Sequence, residues 1–393
     1  AAALRGQPNI LGGMARLRSL GPLFLALSAP GGQAAHGQDA HVVLLRHCPR
    51  APYTNDRHPP LPPNNFTSAD NFSARPFPSL EQWGVGQGVC TAAGLELARL
   101  VGALLPQQIG KSKVRVIADK VGRCEATAAA LGINATAVEV SQELFDPVTA
   151  HLASCTQPDW QRTVEARVAQ LQDQLKAARA QLPKLQELLG KGAAPPLDQI
   201  PDNVSNGYFV GGLRVASELI AETFELERTS FMPMAWGNMK FKDGDLQELL
   251  KMRMAYFSAM YGGRDIAQRF ASGILALLID PELSDSTVLV GHDTNLEAMA
   301  SLLGLQWQCG PWTQNDVPPL SGLHFTLSGD KVRVQAVCPS LSWVAARALS
   351  VGNASFPGGA SEMPAKQFNS MLRSVIDWKC VPGATSEPAN VLV

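Results

Sequence analysis

Two short clusters carry most of the reactive side chains in this 393-residue sequence. The first is Arg46-His47-Cys48-Pro49-Arg50-Ala51-Pro52, in which two guanidinium groups flank one imidazole within five residues. Guanidinium forks match the oxygens of a phosphate bidentately, and an imidazole beside a neutralised anion is a competent nucleophile. Taken alone, the same pattern also suits a surface basic patch. The second cluster is Gly291-His292-Asp293-Thr294-Asn295. Its imidazole can hold a transferring phosphoryl group, and its carboxyl group can protonate a departing alkoxide and then activate water. Taken alone, a His-Asp pair is more often a turn or a helix N-cap. Arg123 offers a third guanidinium, although by itself it reads as an exposed arginine.

The elements around these clusters place them on one edge. HVVLLRH from His41 is an apolar run ending on polar residues, the pattern of a buried strand that delivers side chains at its C-terminal end. VRVIAD (residues 114–119) and TVLVGHD (residues 287–293) repeat it. The run after Thr91 and the segment RCEATAAALG from Arg123 have helical spacing, so strand, helix, strand and helix alternate as in an α/β domain with a parallel sheet. LHFTL (323–327) and VRVQAV (332–337) continue the sheet, while the Pro- and Asn-rich stretch 51–79 reads as irregular surface chain.

The middle of the chain differs in kind. Val164, Val168, Leu171, Leu175, Ala178 and Leu182 step by threes and fours, which predicts one long amphipathic helix stopped at Pro183. Helical spacing continues through GGLRVASELIAETFELE and LQELLKMRMAYFSAMY. The expected fold is therefore α/β, with a mainly parallel sheet flanked by helices and an inserted, mainly helical second domain. The expected division is a leader at 1–38, the first part of the α/β domain at 39–150, the helical domain at 151–275 and the second part of the α/β domain at 276–393.

Lys plus Arg (33) nearly balance Asp plus Glu (34), so any anion site is a local cluster, and neither nucleic acid nor an anionic membrane is an expected partner. Arg16 and Arg18 precede an apolar run, 20–27, and small residues near Ala34 and Ala35, the shape of a secretory signal peptide. The run is too short and too broken by Pro22 and Pro30 to serve as a stable membrane anchor, so a secreted or periplasmic location is expected. Export permits disulfides, and seven cysteines leave at least one thiol unpaired within the chain. The five N-x-S/T sequons, at Asn65, Asn71, Asn134, Asn203 and Asn353, read equally well as glycosylation acceptors or as chance.

Other site classes find little support. There is no CxxC pair, no zinc-like Cys/His spacing and no HExxH. Gly84, Gly86 and Gly88 follow no strand, which excludes a dinucleotide fingerprint, and there is no GxxxxGK[ST] loop. A cysteine-phosphatase loop needs Arg six residues after Cys, whereas Thr54 follows Cys48 at that distance and Ala130 follows Cys124.

RHCPRAP, VRVIADKVGRCEATAAAL and VLVGHDTNLEAMASLLGL together resemble the histidine acid phosphatase family, the phosphatase branch of the histidine phosphatase superfamily. WGVGQGVCTAAGLELARL, LFDPVTAHLASC, AYFSAMYGGRDIAQR and QWQCGPWTQNDVPPLSG are most similar to its bacterial phytase and glucose-1-phosphatase group. The resemblance implies an acid phosphatase acting on small-molecule phosphate monoesters through a phosphohistidine, with an acidic optimum and neither metal nor other cofactor. That agrees with the apparent lack of a Cys/His/carboxylate cluster. It assigns His47 as nucleophile, Asp293 as proton donor, and Arg46, Arg50, Arg123 and His292 as phosphate ligands. It also implies a Cys155–Cys380 disulfide.

Three departures bear on function. Cys48 stands where the family has glycine, which raises the alternative of a catalytically degenerate protein that binds a phosphorylated ligand. Tyr53-Thr54 replaces the Thr-Lys pair of phytases, and Met234 replaces an acidic residue. Both point to a broader or less highly charged substrate than phytate, with phytase and sugar-1-phosphatase activities as the alternatives. HDTN in place of HDSN leans away from glucose-1-phosphatase.

Overall fold

The structure is a computed structural model that describes residues 39–53, 68–110, 114–133, 137–234, 243–279, 286–310, 312–339 and 349–384. The expected leader, Asn65, Asn134 and much of the Pro- and Asn-rich stretch lie outside the described residues.

The main sheet begins with β1 (Ala40–Arg46), β2 (Val114–Ala118) and β3 (Val138–Val140). A small hairpin of β4 (Asn203–Ser205) and β5 (Tyr208–Val210) follows separately. The chain then returns to the main sheet with β6 (Ser286–Gly291), β7 (Gln306–Gln308), β8 (Gly322–Ser328), β9 (Lys331–Pro339), β10 (Leu349–Ser355) and β11 (Glu362–Pro364). The strand order is β3-β2-β6-β1-β8-β9-β10-β7, with β11 paired to β9. β3, β2, β6 and β1 run parallel, as the alternation of strands and helices predicts. From β8 outward the pairing is antiparallel. The reason is local between β8 and β9, since the two-residue link Gly329-Asp330 can join only antiparallel strands.

β1 is apolar from Val42 to Leu45 because both of its faces are covered there. Val43 and Leu45 pack with Val288, Val290 and Val116 beneath the helices Ala92–Leu104 and Gly122–Leu131. Val42 and Leu44 point the other way, into the larger core shared with the helices Arg264–Leu277, Asp293–Leu303 and Ala365–Val375.

The stretch between β3 and β6 is mainly helical, and it corrects one expectation. The Val164–Leu182 periodicity does mark core positions, but it spans three helices, Trp160–Gln170, Gln172–Arg179 and Leu182–Leu189. Pro183 does not stop a helix. It sits in the first turn of the third one, where its missing N–H has no intrahelical partner to lose. Further on, GGLRVASELIAETFELE contains a π-helical segment, Val215–Ala221, directly before the helix Glu222–Thr229.

Candidate active site

Register puts the reactive residues together. Arg46 pairs with Gly291, and both Leu45 of β1 and Ala118 of β2 pair with Val290, so three parallel strands end at the same level. Their next residues, His47, Asp119 and His292, emerge on one edge of the sheet.

The loop after β1 is anchored at almost every residue. The Cys48 amide donates to Thr127 Oγ1 (2.9 Å), and the Pro49 carbonyl accepts from the Thr91 amide (3.0 Å). Gly94 lies so close to this loop that a Cβ there would sit 2.4 Å from the Pro49 carbonyl oxygen. On the other side, the Leu320 amide donates to the carbonyls of Arg46 and His47. Leu320 adopts φ +65°, a left-handed conformation costing roughly 1 kcal/mol or more for a residue with a side chain, and the loop contacts hold it there.

His47 is 2 % exposed. Its Nδ1 lies 2.8 Å from the Cys48 carbonyl oxygen, which can only accept, so Nδ1 carries the proton and Nε2 is the lone-pair nitrogen. Burial, reinforced by Arg123, His292, Arg46 and Arg50, holds the imidazole well below its usual pKa range and keeps it neutral. The His292 ring stands edge-on to it at 5.4 Å.

Arg123, in the first turn of the helix Gly122–Leu131, reaches His292 Nδ1 with Nη2 (3.2 Å) and donates from Nη1 to the Tyr53 hydroxyl (3.1 Å). The Tyr53 ring also lies under the Arg50 guanidinium at 4.5 Å. Because Nδ1 of His292 accepts from Arg123, its Nε2 carries the proton and donates to Asp119 Oδ2 (2.7 Å). The Nε atoms of Arg50 and Arg123 are buried and have no hydrogen-bond partner among the described residues.

Asp293 opens the helix Asp293–Leu303 and accepts from Arg253 (2.5 Å) and faces Arg46 (3.1 Å), both through Oδ2. Burial alone raises its pKa, but Arg46 and Arg253, with His292 and Arg50, outweigh that and hold it below the usual carboxylate range. Arg46 also donates to Glu225 (2.8 Å) and to the Val317 carbonyl (2.6 Å), while Glu222 accepts from Arg50 at 2.8 Å and from Arg46 at 3.3 Å.

The six residues singled out in the sequence, Arg46, His47, Arg50, Arg123, His292 and Asp293, thus lie in one network. Sequence reasoning missed Arg253, Glu222, Glu225 and Thr127, gave Asp119 no role, and noted Tyr53 only as a departure bearing on the substrate. Arg253 left a trace, as a cation between Met252 and Met254 on a helix that is otherwise buried there. Asp119 was visible as the polar end of a buried strand, without an assigned role.

Three disulfides form among the described residues. Cys48 keeps a negative φ, and its side chain is bonded to Cys90. Cys155–Cys380 forms as the resemblance implies, Cys309–Cys338 forms as well, and Cys124 is the remaining free thiol. The apparent lack of a Cys/His/carboxylate cluster is also overturned, because Asp119, Cys124 and His292 bring their donor atoms within 4.8 Å of one another. Asp119 and Cys124 lie close in sequence, but His292 is 168 residues beyond Cys124 and joins them only through the pairing of β2 with β6, where no local spacing rule operates. Burial pushes the Cys124 thiol well above its usual pKa.

The Cys48–Cys90 bond closes a loop across 42 residues. On a chain-entropy basis, Cys90→Ala lowers stability by about 3–4 kcal/mol. Thermal unfolding measures this, and an unchanged midpoint shows that the bond does not constrain the unfolded chain.

No protein-family model and no curated protein sequence matches the chain. Solved structures do. A Hafnia alvei phytase in complex with myo-inositol hexakis sulphate is 22% identical, covering 89% of this chain and 100% of its own, with a TM-score of 0.71. The Citrobacter braakii phytase is 20% identical over 88% of this chain and 100% of its own, with a TM-score of 0.70. The Klebsiella sp. ASR1 phytase is 22% identical over 90% of this chain and 100% of its own, with a TM-score of 0.71. The chain accordingly shares the fold of these bacterial phytases.

Proposed function

We propose that this chain is a phosphoric monoester hydrolase of the histidine acid phosphatase type, working through a phosphohistidine at Nε2 of His47. The observation that carries this reading is a buried, neutral imidazole, its Nδ1–H fixed on the Cys48 carbonyl, placed among Arg50, Arg123 and His292. The buried Nε–H groups of Arg50 and Arg123 are donors for a phosphate. His47 attacks phosphorus in line, the guanidinium groups and His292 stabilise the equatorial oxygens, and Asp293 protonates the leaving oxygen and then activates water.

Held below the usual carboxylate range, Asp293 is ionised before substrate binds, so the proton it delivers arrives with the substrate. A phosphate monoester loses its second proton near pH 6, and below that pH it enters as the monoanion. As its charge engages Arg46 and Arg50, Asp293 loses part of their field and takes up the proton. The pH profile of kcat/KM is therefore expected to fall above about pH 6, with a midpoint that moves with the second pKa of the ester when esters of different phosphate pKa are compared. A midpoint that stays fixed across such esters assigns the titration to the enzyme instead.

Three disulfides and the signal-like leader support a secreted or periplasmic location. No described helix is long and apolar enough to cross a membrane. Tyr53, spanning Arg50 and Arg123, and Met234 favour substrates less charged than phytate. The inositol hexakis sulphate bound by the Hafnia phytase keeps phytase activity as the second reading. Hydrolysis of p-nitrophenyl phosphate, glucose 1-phosphate and phytate at acid pH with EDTA tests both. The highest kcat/KM is expected on the aryl ester, and a marked preference for phytate reverses the substrate assignment. Phosphate binding with no turnover establishes the binding-only alternative, whose motive weakens because Cys48 is engaged with Cys90.

A further inference from the structure

We propose that Asp119, Cys124 and His292 form a site for a thiophilic divalent cation, Zn2+ or Cd2+, whose occupation shuts down phosphoryl transfer. The inhibitory consequence rests on the reading of His292 as a phosphate ligand, whereas the site itself does not. Cys124 is the free thiol among seven cysteines, and its Sγ lies 3.6 Å from His292 Nε2. Zinc–sulfur and zinc–nitrogen bonds of about 2.3 and 2.0 Å at a tetrahedral angle require an S···N separation of about 3.6 Å. Asp119 Oδ2, at 2.7 Å from Nε2, needs to retreat by roughly 0.6 Å to take a third vertex. Its other oxygen, Oδ1, is buried and has no hydrogen-bond partner among the described residues, and Asp119 is 3 % exposed. Thiolate, imidazole and carboxylate together suit Zn2+ and its heavier congener, leaving the fourth vertex for water or an anion.

Binding balances simply. The cation displaces the thiol proton of Cys124, which is released, and takes the Nε2 lone pair of His292. The imidazole proton moves from Nε2 to Nδ1. There it faces the Arg123 Nη2–H that now donates to Nδ1, so two donors oppose each other and Arg123 is driven from His292. The metal thus fixes one phosphate ligand and displaces a second. The nearby guanidinium groups of Arg50 and Arg123 repel a cation, which confines occupation to metals that bind thiolate strongly.

The test compares wild type with Cys124→Ala, a variant that leaves the proposed catalytic residues in place. Titration with Cd2+ is expected to produce an ultraviolet thiolate-to-metal charge-transfer band in wild type and none in the variant. Zn2+ is expected to inhibit wild-type hydrolysis of p-nitrophenyl phosphate, with EDTA reversing it and the half-inhibitory concentration rising about 100-fold in Cys124→Ala. Absence of the band overturns the site whether or not the protein is a phosphatase. A band with no inhibition, or equal inhibition of both proteins, overturns the switch. If the wild type turns over no ester, competition between Zn2+ and inorganic phosphate for binding reads the same coupling, and independent binding of the two overturns it.

Discussion

His47→Ala is expected to abolish turnover of p-nitrophenyl phosphate, lowering kcat by roughly 10^5- to 10^6-fold while leaving phosphate binding nearly intact. The two effects separate because His47 is neutral. Removing it takes the nucleophile away but no charge from the clamp of Arg46, Arg50 and Arg123, so inorganic phosphate should inhibit or bind within a few-fold of its wild-type value. Free imidazole in millimolar amounts is expected to restore part of the rate, since the cavity left by the ring lies at the attacking position. Rapid acid-free quenching with labelled substrate should trap a phosphoenzyme in wild type and not in the variant. Activity retained in His47→Ala assigns the nucleophile elsewhere. Loss of both activity and phosphate binding instead reports collapse of the loop, which thermal unfolding distinguishes.

Asp293→Asn is expected to divide substrates by leaving group. An alkyl ester needs its departing alkoxide protonated, and losing that proton donor costs about 10^2- to 10^4-fold in kcat. Nitrophenolate departs without help, so p-nitrophenyl phosphate should lose far less in the phosphorylation step. The substitution also removes the carboxylate that Arg46 and Arg253 share. With less competition for Arg46, phosphate should bind somewhat more tightly. Equal loss on both ester classes argues against Asp293 as the acid, unless water attack on the phosphoenzyme has become limiting. Burst kinetics with the aryl ester separates those cases, because slow dephosphorylation leaves a burst of nitrophenolate.

Sequence alone determined the strands that end together and placed the clusters around His47 and His292 just beyond them. Buried parallel strands are local apolar runs, and a strand that ends on polar residues announces where they emerge, as HVVLLRH and TVLVGHD do. The core positions of the middle helices were legible for the same reason, although the breaks at Leu171 and before Leu182 were not, because periodicity survives an interruption that keeps the same face buried. The tertiary structure decided what surrounds the reactive groups. Arg253 lies 40 residues from Asp293, Glu222 lies 172 from Arg50, and Cys90 lies 42 from Cys48. No local pattern encodes such pairings. They follow from sheet register and helix packing, and they set the charge state of Asp293 and the direction taken by the Cys48 side chain.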